Sequence, residues 1–191
     1  MISANAAMTG SYDHLQVALS VLIAVSVSYA ALDLAGRVTA TKNWVRRAWM
    51  TAGATAMGIG IWSMHFVGML AFTLPIPVSY HWPTVLLSLV VAILASAFAL
   101  YLVSRQKLGL VRALTGSIMM GGGIATMHYI GMAAMRLAAV TRFAALLVTL
   151  SVVLAIVFSF AALLLAFDLR EETRGTVSRK IVSATMEFAQ A

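Results

Sequence analysis

Long charge-free runs dominate the chain, and about twenty apolar residues are enough to cross a bilayer core. The first run covers about 15–35 and is interrupted only by Asp33 near its end. No Asp, Glu, Lys or Arg occurs from Ala48 to Ser104, which is too long for one span. Pro75-Ile-Pro77 and Tyr80-His81-Trp82-Pro83 divide it, because proline punctuates and aromatics favour the membrane interface. Two spans result, about 49–73 and 84–104, followed by a fourth over about 113–135 and a fifth over about 143–167. The predicted fold is all-α, a polytopic transmembrane helical bundle whose membrane domain covers 1–167. The long unbroken runs exclude the short alternating segments of a β-barrel.

Composition agrees with the pattern. Of 191 residues, 62% are hydrophobic and 10% charged, against roughly 45–50% and 25% in soluble domains. A mean hydropathy of +0.96 cannot be hidden in a soluble core of this size. A soluble enzyme and a nucleic-acid binder are therefore excluded, although the formal charge is +7. With no cysteine, disulfides, zinc–thiolate sites and iron–sulfur clusters are excluded as well. The first basic residue is Arg37, so no positive region precedes the first apolar stretch and no cleavable leader is expected.

The basic residues fix an expected orientation. Arg37, Lys42, Arg46 and Arg47 lie between spans one and two, and Arg105, Lys107 and Arg112 between three and four. Arg170, Arg174, Arg179 and Lys180 follow span five, whereas only Arg136 and Arg142 fall on the other side. The positive-inside bias places the N-terminus outside and the C-terminus in the cytoplasm. Residues 168–191 carry eight charges and read either as a cytoplasmic tail or as a truncated third repeat unit.

An internal repeat carries the chemistry. Gly53 to Phe72 aligns without gaps on Gly116 to Met135 at an offset of 63, and ten of twenty positions match. Both copies run in the same direction, so the repeat is parallel, with one outgoing and one returning helix per unit. Residues three and four apart share a helix face. Met57, Ile61, Met64, His65, Gly68 and Met69 therefore form one stripe, and Met120, Ile124, Met127, His128, Gly131 and Met132 form its counterpart. Gly58, Gly60, Gly68, Gly121, Gly123 and Gly131 allow close helix packing. Each histidine is expected roughly 12–15 Å below the outer loop, and the two at one depth.

Taken singly, such a histidine reads as a packing residue with one hydrogen bond, and a Met stripe as gap-filling. Duplicated at one level, where ionisable groups are rare, the two faces read as a shared site. Soft thioethers favour Cu(I), imidazole binds Cu, Zn or Fe, and the lack of a carboxylate makes Mg²⁺ and Ca²⁺ poor candidates. The expected metal set is His65, His128, Met64, Met127, Met69 and Met132, with His14 as a third imidazole at the start of span one. His81 reads as an interface residue. Asp33 is expected to face headgroups or an arginine, and Trp62 to pack against a neighbouring helix. No nucleotide loop, paired carboxylates or nucleophile–base set occurs, so no enzymatic activity is expected.

Trp62-Ser-Met64-His65-Phe66-Val-Gly68-Met69 and Thr126-Met127-His128-Tyr129-Ile-Gly131-Met132 resemble the signature of the MHYT domain, a bacterial integral-membrane sensory module. The stretch from Tyr12-Asp-His14 to Asp33-Leu-Ala resembles its opening helix. The resemblance implies that the Met, His and Tyr residues lie near the outer face and bind a metal, copper, to sense O₂, CO or NO. It also implies a cytoplasmic output partner such as cyclic-di-GMP enzymes, a histidine kinase or a DNA-binding regulator. Phe66 stands where the second copy has Tyr129, so one phenol is available. The family's third motif, on a sixth helix, is not found in this chain. Other readings remain open: a haem-binding electron carrier with His65 and His128 as axial ligands, a copper transporter, or a structural remnant. A homodimer is one open assembly.

Overall fold

The computed structural model describes residues 10–105, 109–137 and 144–188, with side chains up to Asp168. Lys107, Arg142 and the side chains of Arg170, Arg174, Arg179 and Lys180, part of the charge-bias argument, lie outside the described residues. Five helices follow in order: α1 (His14–Ala40), α2 (Asn43–Leu70), α3 (Trp82–Val103), α4 (Leu110–Ala133) and α5 (Ala145–Phe188). Each contains a segment long and apolar enough to cross a membrane, in α5 the part Ala145–Asp168.

The helix ends differ from the predicted spans. α1 and α2 extend past theirs and carry Arg37, Arg46 and Arg47 on helix rather than loop. A helix satisfies its own backbone, and long basic side chains can reach out of the apolar layer along its surface. Only Thr41 and Lys42 separate α1 from α2, and the chain reverses at Asn43 with φ 56°, a conformation Asn tolerates better than most residues. α5 continues unbroken for 44 residues. Its polar half is too charged for lipid, yet Glu, Arg and Ala are good helix formers and do not end a helix.

Two short ribbons close one end of the bundle. β1 (Ser11–Tyr12) pairs antiparallel with β2 (Phe72–Thr73), and β3 (Ser79–Tyr80) with β4 (Met135–Arg136). In each, the residue after the first strand donates its backbone N–H: Asp13 to the Ala71 carbonyl and His81 to the Ala134 carbonyl, both at 2.8 Å. The Asp13 carboxylate also caps α1 by accepting from the Leu15 and Gln16 amides. At two residues each, these strands leave no readable hydrophobic alternation.

Consecutive helices pack against one another, α1 on α2 through to α4 on α5. Little hydrophobic force joins helices in lipid, so small residues at the interfaces set how closely they pack. A Cβ on Gly58 would lie 2.6 Å from the Ile93 Cα, and one on Gly121 2.6 Å from the Ile156 Cα. The same pair of contacts thus recurs 63 residues later. Gly60 and Gly123 take the corresponding places against Val27 of α1 and Ala95 of α3. Large side chains such as Leu15, Leu22, Tyr29, Leu94 and Leu146 point outward, as lipid contact requires.

The repeat reaches further than the Met-His stretch. Ser20, Ala24, Ser28, Ala31 and Leu32 of α1 recur as Ser88, Ala92, Ser96, Ala99 and Leu100 of α3. They recur again as Ser151, Ala155, Ser159, Ala162 and Leu163 of α5. The expected two-copy repeat therefore holds three copies of its returning helix and two of its Met-His helix. At the opposite, basic end, Asp33 pairs with Arg37 at 2.7 Å, Arg37 lies over the Trp49 ring, and Arg46 donates to Ser104 Oγ.

Candidate metal centre

Parallel α2 and α4 carry the two histidines to one level. Each stands five residues before the last residue of its helix, at Leu70 and Ala133, about 7–8 Å of helix length. That is shallower than expected, because α2 stops at Leu70 and the ribbon begins there.

The rings face each other. His65 Nδ1 and His128 Nδ1 are 3.4 Å apart, with ring centroids at 4.7 Å and planes at 61°. This is longer than an ordinary N–H···N hydrogen bond. Two nitrogens each about 2.0–2.1 Å from one ion lie at most about 4.2 Å apart, and the pair falls within that limit. His65 Nε2 is buried and has no hydrogen-bond partner. It rests on Gly131, where a Cβ would approach Nε2 to 2.8 Å. Gly131 thus gives the imidazole its room. The aligned Gly68 has a different neighbour, Ser20 Oγ, at an ordinary 3.4 Å from its Cβ position.

The pair lines a cavity of about 520 Å³ with Met64, Met69 and Met132, and Tyr12 and Phe72 stand toward the ribbon end. Ser20 also lines it and donates to the Met64 carbonyl at 2.9 Å. Of the expected metal set, His65, His128, Met64, Met69 and Met132 are brought together. Met127 is not: it is 2% exposed and packed in the core, away from the cavity lining. His14 is not either, since it is exposed on the first turn of α1. The inward positions of that helix include Gln16 and Ser20, and His14 lies outside their phase. Among the described residues no group of three or more His, Cys, Asp or Glu side chains gathers. His81 stands at the start of α3, where its carbonyl accepts from the Thr84 and Val85 amides and its Nδ1 lies 2.8 Å from Thr84 Oγ1. Met57 and Met120, two turns deeper on their stripes, line a second, apolar cavity of about 330 Å³. Outside the spans, burial raises the pKa of the Tyr80 phenol, which stays neutral.

Tyr129 turns away from the cavity. Its hydroxyl lies 2.6 Å from Ser151 Oγ, and Ser151 donates to the Val148 carbonyl at 2.8 Å, so the phenol is the donor. In the first unit Ser88 likewise donates to the Val85 carbonyl and accepts from the Trp62 indole N–H at 3.1 Å. Sequence reasoning named Tyr129 and Trp62 but missed their partners. Serines recurring at the 63-residue offset, Ser88 and Ser151, were the available signal.

A bundle of membrane-length helices around a pair of imidazoles, built by internal repetition, defines a polytopic membrane module. The profile of the MHYT family, described as the bacterial signalling protein N terminal repeat, matches residues 1–48, 58–116 and 121–178. The chain belongs to this family. It is 48% identical over 170 residues to the bifunctional diguanylate cyclase/cyclic di-GMP phosphodiesterase MucR of Pseudomonas aeruginosa, covering 89% of this chain and 25% of that protein. It is 39% identical over 159 residues to the signaling protein YkoW of Bacillus subtilis, covering 83% and 20%. It is 42% identical over 153 residues to the cyclic di-GMP phosphodiesterase NbdA of P. aeruginosa, covering 80% and 19%. The chain thus spans a quarter or less of these relatives. No solved structure matches it. The chain is a multi-pass bacterial membrane protein with a sensory or signalling role.

Proposed function

We propose that this module binds copper through His65 and His128 and reports a diatomic gas (O₂, CO or NO) or the redox state to a cytoplasmic output domain. The observation that carries the reading is the 3.4 Å separation of the two Nδ1 atoms in one cavity. The donor set fits: two imidazoles, with Met64, Met69 and Met132 as the soft thioethers that favour Cu(I). Copper held there would supply gas binding and a change of oxidation state. The chain's own residues hold and orient the imidazoles. Gly131 seats the His65 ring, Ser20 fixes the α2 backbone at Met64, and largely apolar side chains line the cavity around the pair.

Haem fits this geometry less well, because His65 packs directly on Gly131 and leaves no slot between α2 and α4 for a macrocycle. The basic ends of the helices face the cytoplasm in this reading. The output partner is of the cyclic-di-GMP type, as the names of MucR and NbdA suggest. The module itself performs no catalysis. The test is copper stoichiometry in detergent-purified protein. His65→Ala and His128→Ala each remove most of the copper, and His81→Ala leaves it unchanged. Equal loading in wild type and the double histidine variant refutes the metal site.

A further inference from the structure

The phenol of the second unit faces away from the histidine pair and holds the helix that runs furthest from it. Tyr129 follows His128 in α4, and the two rings meet edge-on at 5.0 Å and 81°. The phenol donates to Ser151 of α5 at 2.6 Å. Inside an apolar layer no water can replace such a bond, so the joined helices move together. The first unit lacks this link, because Phe66 takes the aligned position and has no hydroxyl. The returning helices differ in the same sense. α3 ends at Val103 after 22 residues, whereas α5 runs on to Phe188. The hydroxyl therefore occurs in the unit whose returning helix extends beyond its membrane-length segment.

We infer that the Tyr129–Ser151 hydrogen bond passes the state of the His65–His128 pair to α5. The inference rests on the sensory reading of that pair. Neighbouring residues stand about 100° apart around a helix. A rotation of α4 that resets the His128–His65 spacing therefore carries Tyr129 across the face of α5. While the bond holds, α5 follows; without it, the Tyr129 end of α4 can shift relative to α5, although Gly121 still packs on Ile156 deeper in the pair. A ligand drives this change to the extent that it binds the two packings with different affinity. Tyr129 is a positioning residue in this scheme and not a metal ligand.

The native chain has no cysteine, so Asp168→Cys, exposed at the end of the membrane-length part of α5, takes a single fluorinated thiol label. In the purified full chain, Cu(I) shifts the label resonance. Tyr129→Phe and Ser151→Ala load as much copper as the parent and lose most of the shift. Trp62→Phe breaks the equivalent bond to Ser88 and keeps it. A copper-free arm runs beside this one: His65→Ala shifts the label in the parent and not in the Tyr129→Phe background. A full shift in Tyr129→Phe, or equal loss in Trp62→Phe, overturns the inference. Loss of copper itself in Tyr129→Phe also overturns it, by making the phenol a ligand. If the parent takes up no copper, the metal reading fails, and the copper-free arm alone decides the coupling.

Discussion

In the α2–α3 hairpin, Ser88 gives its proton to Val85 and accepts from the Trp62 indole. In the α4–α5 hairpin, Ser151 gives its proton to Val148 and accepts from the Tyr129 phenol. The acceptor has kept its register while the donor has moved by one helical turn: Trp62 aligns with Ala125, and Tyr129 with Phe66. Positions four apart share a helix face, so either turn can reach the serine. What the repeat preserves is a satisfied polar contact in an apolar setting, and the residue that makes it is free to change. The glycines teach the complementary lesson. Gly68 and Gly131 are aligned and identical, yet only Gly131 has an imidazole seated against it.

The largest expected effects test the equivalence of the hairpins. Gly58→Leu and Gly121→Leu each drive a side chain into the main chain of the next helix, at Ile93 and Ile156. Each should cost about 1–3 kcal/mol or more in equilibrium unfolding from mixed micelles, and by similar amounts. One unit tolerating the change while the other unfolds breaks the comparison. Next comes the asymmetry between the aligned glycines. Gly131→Ala should weaken copper binding about tenfold, equivalent to about 1.4 kcal/mol, by displacing the His65 ring. Gly68→Ala, whose methyl meets only Ser20 Oγ, should change it by less than about twofold. Competition against a Cu(I) chelator of known affinity measures both, and equal losses would remove the distinction.

Smaller still are the serine contacts. Ser88→Ala and Ser151→Ala should each cost about 0.6 kcal/mol, the average for a polar contact between membrane helices. They should match each other in the same unfolding assay despite their different donors. Asp33→Asn serves as the baseline away from the paired serine contacts. Its pair with Arg37 is half exposed, so the loss should be about 0.3–0.5 kcal/mol and shrink as salt rises.

The spans were legible because lipid demands long apolar runs and tolerates few charges within them. The meeting of His65 and His128 was legible too, because an ungapped offset of 63 on parallel helices puts both at one depth. The ribbons were not, since two paired residues leave no alternation. The exposed position of His14 was hidden because it depends on the phase of α1, which the sequence of α1 alone leaves open. Met64 and Met127 show the limit most directly. They are aligned and chemically identical, yet one lines the cavity and the other is core. The α1–α3–α5 register was visible in principle, but serine and alanine are common in membrane helices, and the match stands out only once Ser88 and Ser151 are seen making the same bonds.

The equal depth of the two histidines has an electrical consequence. A proton or metal ion passing between His65 and His128 moves within the plane of the membrane, so it does no work against the transmembrane voltage. Reaching the pair from the nearer surface is different. Five residues of helix, about 7–8 Å of a roughly 30 Å core, carry a single charge through about a quarter of the field, on the order of 0.6 kcal/mol per 100 mV. If the pair holds an ion as proposed, its occupancy is weakly tied to the energisation of the cell, while exchange between the two rings is blind to it.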